Sequence, residues 1–422
     1  MSDSTVQNIF EIAKERYARL GVNVERVLET LSGLSLSVHC WQADDVGGFE
    51  TADAELSGGG IQVTGRYPGK ARSLAEIRAD LEQVYSLIPG NHRLNLHASY
   101  GDFGGKVVDR DQVGPEHFSS WCDWAKSQGV KLDFNSTFFS HPMADEGYTL
   151  SSKKEKIRNF WIRHAQQCRR ISAYMGEQQG DPCIHNLWIP DGAKDITVDR
   201  YGYRGLLKES LDEIYKEELN PKLMKDAVES KLFGIGSEAF VVGSHEFYLG
   251  YALSRGKMIC LDMGHFHPTE SVADKVSALF HFTDELLFHV SRPMRWDSDH
   301  VVILNDDVQA LCSELVRSGH LPASHLGLDF FDGSLNRIGA MSSGARATLK
   351  ALLLALLEPT ATLKGYEEKG DFFARMALLE ELKTMPSGAV WDFYCQSQGA
   401  PLDSELIERV HRYEKEVTAK RG

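Results

Sequence analysis

The sequence predicts an α/β fold: a (β/α)8 TIM barrel with additional N- and C-terminal helices. Two observations carry this expectation. Eight short, β-rich apolar runs recur between residues 36 and 329, and segments with helical spacing separate most of them. Strands alternating with helices imply a parallel sheet with right-handed crossovers, and eight such units close into a barrel. The second observation is where the polar residues fall. Glu229, Asp262, His289 and Asp329 stand late in four successive runs or at their ends, and His265 follows Asp262 closely. A barrel presents its functional side chains at the carboxyl ends of its strands.

Taken in order, residues 1–21 have amphipathic helical spacing and lack the basic head and continuous apolar core of a secretion signal. Strands are expected at 36–41, 93–98, 130–135, 184–189, 227–231, 258–262, 286–291 and 325–329. Ser73 and Glu76 form a capping box that opens a helix running to about residue 87. Pro115 marks a helix start and Gly129 stands just past its end. "LLKESLDEIYKEEL" at 206–219 gives a further helix. Beyond Asp329, apolar spacing places helices near 344–357, 370–384, 387–397 and 404–419. One of these closes the barrel. We therefore expect a catalytic domain at 1–340 and a helical extension at 341–422, packed on the barrel or on a neighbouring subunit. The stripe Leu352, Leu353, Leu356 and Leu357 reads as packing or subunit contact. The polar, Gly-rich segment 42–70 follows the first strand. A loop of that length is usually functional, often a lid. Its Gly58-Gly59-Gly60 run lacks the order of a phosphate-binding loop.

Composition narrows the function classes. A net charge of −14 argues against nucleic acid, whose phosphates need a basic face. Seven scattered Cys without a CxxC pair fit free thiols in a reducing compartment. The longest apolar run, near residue 352, is too short to span a bilayer. A cytoplasmic location with no membrane partner is expected.

The chemistry concentrates in Glu229, Lys231, Asp262, His265, His289, Asp297, Asp299 and Asp329. Five carboxylates cannot share one pocket in ionised form without cations, because like charges raise each other's pKa. Two divalent ions and Lys231 together balance those five charges. Taken singly, each residue has a plainer role: a strand-end Asp often caps a helix, and a lone His is often a hydrogen-bonded core residue. Those roles do not account for seven ligand-type residues on four consecutive units. Carboxylate and imidazole ligands without thiolate suit Mn2+ or Mg2+, and Co2+ or Zn2+ remain admissible. Nearby, His267 reads as loop structure. His300 reads either as an orienting group for Asp299 or as solvent-facing. His39 and Trp41 read as ordinary barrel interior.

The fragments "VHCWQADDVGGFE", "RLNLHASY", "NLWIPDGAKDITVDR", "ESKLFGIGSE", "LDMGHFHPTE", "HVSRPMRWDSDHVV" and "GLDFFDGSLNRI" resemble the L-rhamnose isomerase family. With "LDFN" and "YEKE", they span nearly the whole chain. The resemblance implies a metal-dependent aldose–ketose isomerase, a homotetramer with two divalent sites usually filled by Mn2+. It implies a structural site of Glu229, Asp262, His289 and Asp329. It implies a catalytic site of His265, Asp297 and Asp299, with Lys231 on a substrate oxygen. His97 and Trp188 are carried over as substrate-pocket residues, and Lys231, Asp329 and His97 as the catalytic groups.

Isomerising an aldose to a ketose moves one hydrogen between C2 and C1 and another between O2 and O1. A hydride shift needs cations that hold both oxygens and polarise the carbonyl. A metal-bound water or hydroxide is the expected proton shuttle. The expected reaction is L-rhamnose to L-rhamnulose. Alternatives are another aldose, a two-metal hydrolase or phosphodiesterase on the same barrel, and a non-catalytic sugar-binding protein.

Overall fold

The computed structural model describes residues 3–50, 63–295 and 298–421. Eight parallel strands close into a barrel: β1 (Leu36–His39), β2 (Arg93–His97), β3 (Lys131–Asn135), β4 (Cys183–Leu187), β6 (Met224–Glu229), β8 (Met258–Asp262), β9 (Leu286–Val290) and β10 (Ser324–Leu328). Two short strands outside the barrel, β5 (Gly192–Ala193) and β7 (Phe240–Val241), pair antiparallel. The (β/α)8 expectation is met strand for strand. The largest shift is at β6, which begins three residues before the expected 227 and ends at Glu229. Lys231 therefore stands beyond the strand, its N–H held by the Gly243 carbonyl at 3.1 Å.

The helices form an outer ring. Helix α1 (Asp3–Ala18) turns Val6, Phe10, Ala13 and Tyr17 inward, and α2 (Val24–Ser32) is capped by Asn23. Helix α3 (Leu74–Tyr85) opens on Ser73, whose Oγ accepts from the Glu76 N–H at 3.2 Å. Pro115 starts a short 3-10 turn that runs into α4 (Ser119–Gln128), and Gly129 ends that helix at φ 68°. The long α5 (Glu155–Gln179) packs on β3 and β4. Helix α6 (Arg200–Ile214) starts six residues before the expected 206, because Asp199 caps it through the Gly202 N–H. Helices α7 (His245–Arg255), α8 (Ala273–Leu279) and α9 (Asp306–Arg317) follow the next three strands.

Helix α10 (Arg337–Leu356) closes the ring against α9 and α3, so residue 340 falls inside a barrel helix. Leu352, Leu353 and Leu357 are buried along it, with Leu356 half-buried. Five helices rather than the expected four follow β10. The additional one is α11 (Thr360–Glu368), short and polar and set off by Pro359. Helices α12 (Phe372–Leu382), α13 (Ser387–Ser397) and α14 (Asp403–Glu416) complete the chain, and α13 packs on α1. Among the described residues, no single helix is long and apolar enough to cross a membrane.

Candidate metal centre

Side chains alternate along a strand, so one register brings one inward set together. Asp262 of β8 lies opposite His289 of β9, which lies opposite Gly327 of β10. Glu229 ends β6, and Asp329 follows β10 with its N–H on the Val290 carbonyl at 3.1 Å. Glu229, Asp262, His289 and Asp329 thereby offer ligand atoms that all lie within 4.8 Å of one another. His289 Nδ1 is 3.0 Å from Asp329 Oδ2, 3.3 Å from Glu229 Oε2 and 3.7 Å from Asp262 Oδ2.

A second group joins it. Asp262, His265 and Asp299 also converge within 4.8 Å, so Asp262 belongs to both clusters. His265 Nδ1 lies 3.1 Å from Glu229 Oε1, which makes the two groups contiguous. Gly264 permits this approach: a Cβ there would stand 2.7 Å from Asp299 Oδ1 and 3.0 Å from Ser291 Oγ. Asp299 itself adopts φ 23°. Asp297, expected as a further ligand, lies outside the described residues.

Electrostatics test whether cations fit here. Burial pushes the Asp262 carboxyl up to about 8; His265 opposes the rise, and Glu229 and Asp329 reinforce it. Burial also disfavours ionised Glu229, but His289 and His265 beside it hold its pKa well below the usual carboxylate range. The buried acids cannot all stay ionised without added positive charge. Oxygen and imidazole donors converging in this way fit divalent ions of the Mn2+ or Mg2+ kind.

Other groups orient the ligands. Asn186 Nδ2 donates to Glu229 Oε2. The Gly264 N–H and Ser291 Oγ donate to Asp262 Oδ1 at 2.6 and 3.2 Å. Trp41 Nε1 donates to Asp329 Oδ1 at 3.2 Å. Trp41, read from sequence as interior packing, therefore touches the centre. Nothing in the sequence singles out Asn186 or Ser291. Asn186 pairs with Ala227, two residues before Glu229, and Ser291 lies two residues past His289, so each shares the ligand's face.

An arc of aromatic rings runs from Trp41 to Lys231. Trp41 meets His97 edge-on at 4.8 Å, His97 meets Phe139 at 5.5 Å, and Phe139 stacks on Trp188 at 5.7 Å. The Lys231 ammonium lies 5.7 Å from the Trp188 ring centre. His97 is buried, with Nδ1 3.1 Å from Thr137 Oγ1, and burial lowers its pKa to about 3. It is neutral at ordinary pH. His267 is exposed and bonds Thr269 Oγ1, as a loop residue would. His300 contacts Ser298 Oγ at 3.2 Å. His39 packs on Trp41 and Phe330 in the interior.

The root of the 42–70 loop stands beside this site. The Gln42 amide exchanges two hydrogen bonds with the Asp332 backbone, at 3.1 and 2.8 Å. On the return arm, the Tyr67 N–H bonds the Gly333 carbonyl at 2.7 Å. Gly65 lies so close that a Cβ would meet the Ser334 backbone at 2.4 Å. Phe49 packs edge-on against Tyr100. Gly58, Gly59, Gly60 and Ile61 lie outside the described residues.

Residues 4–421 match the family model for L-rhamnose isomerase. The chain is similar to the L-rhamnose isomerase of Bacteroides thetaiotaomicron, 57% identical over 419 residues, covering 99% of each chain. It is similar also to that of Rhodopirellula baltica, 54% identical and covering 99% of this chain and 97% of the relative. The enzyme of an Escherichia coli strain is 55% identical, with 99% of each chain covered.

Proposed function

Because the chain belongs to the L-rhamnose isomerase family, we propose that it interconverts L-rhamnose and L-rhamnulose by a metal-assisted hydride shift between C1 and C2. Aldose–ketose isomerisation is the reaction class of the family. The observation that carries the mechanistic reading is the convergence of Glu229, Asp262, His289 and Asp329 beside Asp262, His265 and Asp299. Glu229, Asp262, His289 and Asp329 would hold one divalent ion. His265 and Asp299, with Asp297, would hold the second. When bound, Mn2+ at both sites would supply Lewis acidity at the sugar's O1 and O2.

The chain's own residues do the rest. Lys231 brings a fixed positive charge to the mouth of the site, where oxyanion character develops on O1. Neutral His97 offers the sugar hydroxyls a hydrogen bond without competing for the cations' role. Asp329 is held by Trp41 and His289, which fixes the carboxylate nearest the aromatic arc. Trp188, Phe139 and Trp41 give that arc a dry face suited to the apolar side of a deoxy sugar. Water excluded there cannot intercept the shifting hydride.

The working unit is proposed as a cytoplasmic homotetramer, without nucleic-acid or membrane partners. Family membership leaves the hydrolase reading without support. The test is ketose formation from L-rhamnose by chelator-treated protein with and without Mn2+. Activity should vanish on chelation and return with Mn2+ better than with Ca2+, the weaker Lewis acid. Full activity in metal-free protein would reject the scheme.

A further inference from the structure

A cavity of 610 Å³ enters the barrel from its amino end, opposite the sugar site, and reaches Asn186 and His289. We propose that it is a water-filled shaft whose innermost water accepts a hydrogen bond from His289 Nε2–H, and so sets how tightly the structural cation is held. The proposal rests on the metal-site reading above.

The occupant follows from the lining. Apart from Glu29, the charged groups at the mouth are already paired. Arg93 bonds Asp133 at 2.8 Å and Asp181 at 2.5 Å. Lys225 and His325 share Glu285, at 2.5 and 2.8 Å. Lys131 completes Asp181 at 3.3 Å, so the charge left over is that of Glu29 at the rim; a lone carboxylate repels anions and does not make a cation site, and the space is many times that needed by one water. At the inner end, polar atoms await a partner. Asn186 Oδ1 and His289 Nε2 are buried without a hydrogen bond of sound geometry among the described residues, and the Cys260 thiol is the neighbour that competes with water for the ring. Asn186 uses its amide N–H on Glu229, so its oxygen is left for a donor.

The tautomer of His289 closes the argument. Nδ1 faces Asp329, Glu229 and Asp262 and is the atom placed to ligate. A neutral imidazole ligating through Nδ1 carries its proton on Nε2. Metal-bound histidines donate that second N–H to a carboxylate, a carbonyl or water, and the partner tunes the ligand's basicity. Here the shaft offers water. Gly327 keeps the route open: directly opposite His289, its missing Cβ would stand 3.2 Å from His289 Cδ2 and 3.6 Å from Nε2. Gly327 is thus a positioning residue.

The first test is a high-resolution crystal structure of the Mn2+-loaded protein. An ordered water within hydrogen-bond distance of His289 Nε2, continuous with the shaft, is expected. A dry shaft, or Nε2 bonded to Cys260 Sγ, would overturn the proposal. The second is Mn2+ titration by calorimetry. Gly327→Ala should displace the water and weaken the tighter site by roughly tenfold, as loss of an outer partner does. Gly327→Ser supplies a hydroxyl in the water's place and should recover most of that loss. Equal weakening in both variants would make the effect steric and overturn the proposal, as would wild-type affinity in Gly327→Ala. Wild-type protein that binds no divalent ion would defeat the metal-site reading itself, and this inference with it.

Discussion

Lys231 sits two residues past the end of β6, its ammonium over the Trp188 ring at 5.7 Å. Its charge is oriented rather than loosely tethered, so it should count most when charge develops on the substrate. Lys231→Met preserves length and removes the charge. A kcat loss of about 100-fold is expected, by analogy with removal of one oxyanion donor, with KM little changed. A raised KM at unchanged kcat would assign Lys231 to ordinary binding. Far from the site, His92 is buried with Nε2 donating to the Pro89 carbonyl at 3.1 Å. Burial lowers its pKa from 6.5 to about 4. The unfolded chain takes up a proton there below 6.5 that the folded chain refuses. This contribution is therefore fully present above pH 6.5 and is lost as pH falls toward 4, at about 1.4 kcal/mol per pH unit. His92→Gln should flatten the loss of urea resistance between pH 7 and pH 5 relative to wild type. Parallel curves would show that His92 does not contribute. At this scale the sequence displayed the ionisable groups well. His265, His289, Glu229, Asp262, Asp299 and Asp329 all meet, because strand ends and charge were both readable. Trp41, Asn186 and Ser291 were not legible in that way. Each acts by where it points, and neutral polar or aromatic residues at strand ends are common.

Strands were legible because a barrel strand is a short apolar run with turn signals on both sides. Helix edges were less so. Helix α6 begins early on the Asp199 cap, and α11 is too short and polar for apolar spacing to separate it. The element that the sequence marked most strongly, the loop after β1, is anchored at a strained root. Asp45 and Val46 adopt φ 56° and 60°, which L side chains rarely do. Arg337 at the start of α10 clamps Asp45 through two bonds, 2.9 and 2.7 Å, and reaches the Pro68 carbonyl of the return arm at 3.0 Å. Tyr100 holds neighbouring Asp44 at 2.6 Å. One arginine therefore ties both arms of the loop to the barrel. Arg337→Met would leave half-buried Asp45 without its cation and its two charge-assisted hydrogen bonds, a change that costs about 2 kcal/mol. We expect a lowered Tm and first proteolytic cleavage within 42–70, with metal affinity retained. Unchanged cleavage sites and Tm would mean that the loop is held elsewhere.

Across the whole molecule, one element has no interior of its own. Helix α12 contributes no buried residue, although its sequence, FFARMALLEEL, is apolar over most of its length. Phe372, Phe373 and Met376 are exposed, at 57, 75 and 61% of their surface. Large apolar side chains grouped on one helix mark an interaction surface more often than a tolerated one. The sequence suggested that the C-terminal helices pack on the barrel or on a neighbour; α13 packs on α1 and α10 on α9 and α3, whereas α12 buries no residue within the chain. For the proposed homotetramer, a second copy is the partner to test on this face, since soluble oligomers are mostly closed assemblies of identical chains. With a net charge of −14 on each chain, association has to overcome long-range repulsion. Apolar burial through α12 can do so, and added salt should strengthen it by screening. Light scattering should then give a multiple of 47.2 kDa for the wild type, fourfold for the proposed tetramer. Phe373→Glu with Met376→Glu should lower that mass, most visibly at low salt, because each carboxylate would have to be buried in the contact. An unchanged mass at all salt concentrations would move the subunit interface away from α12.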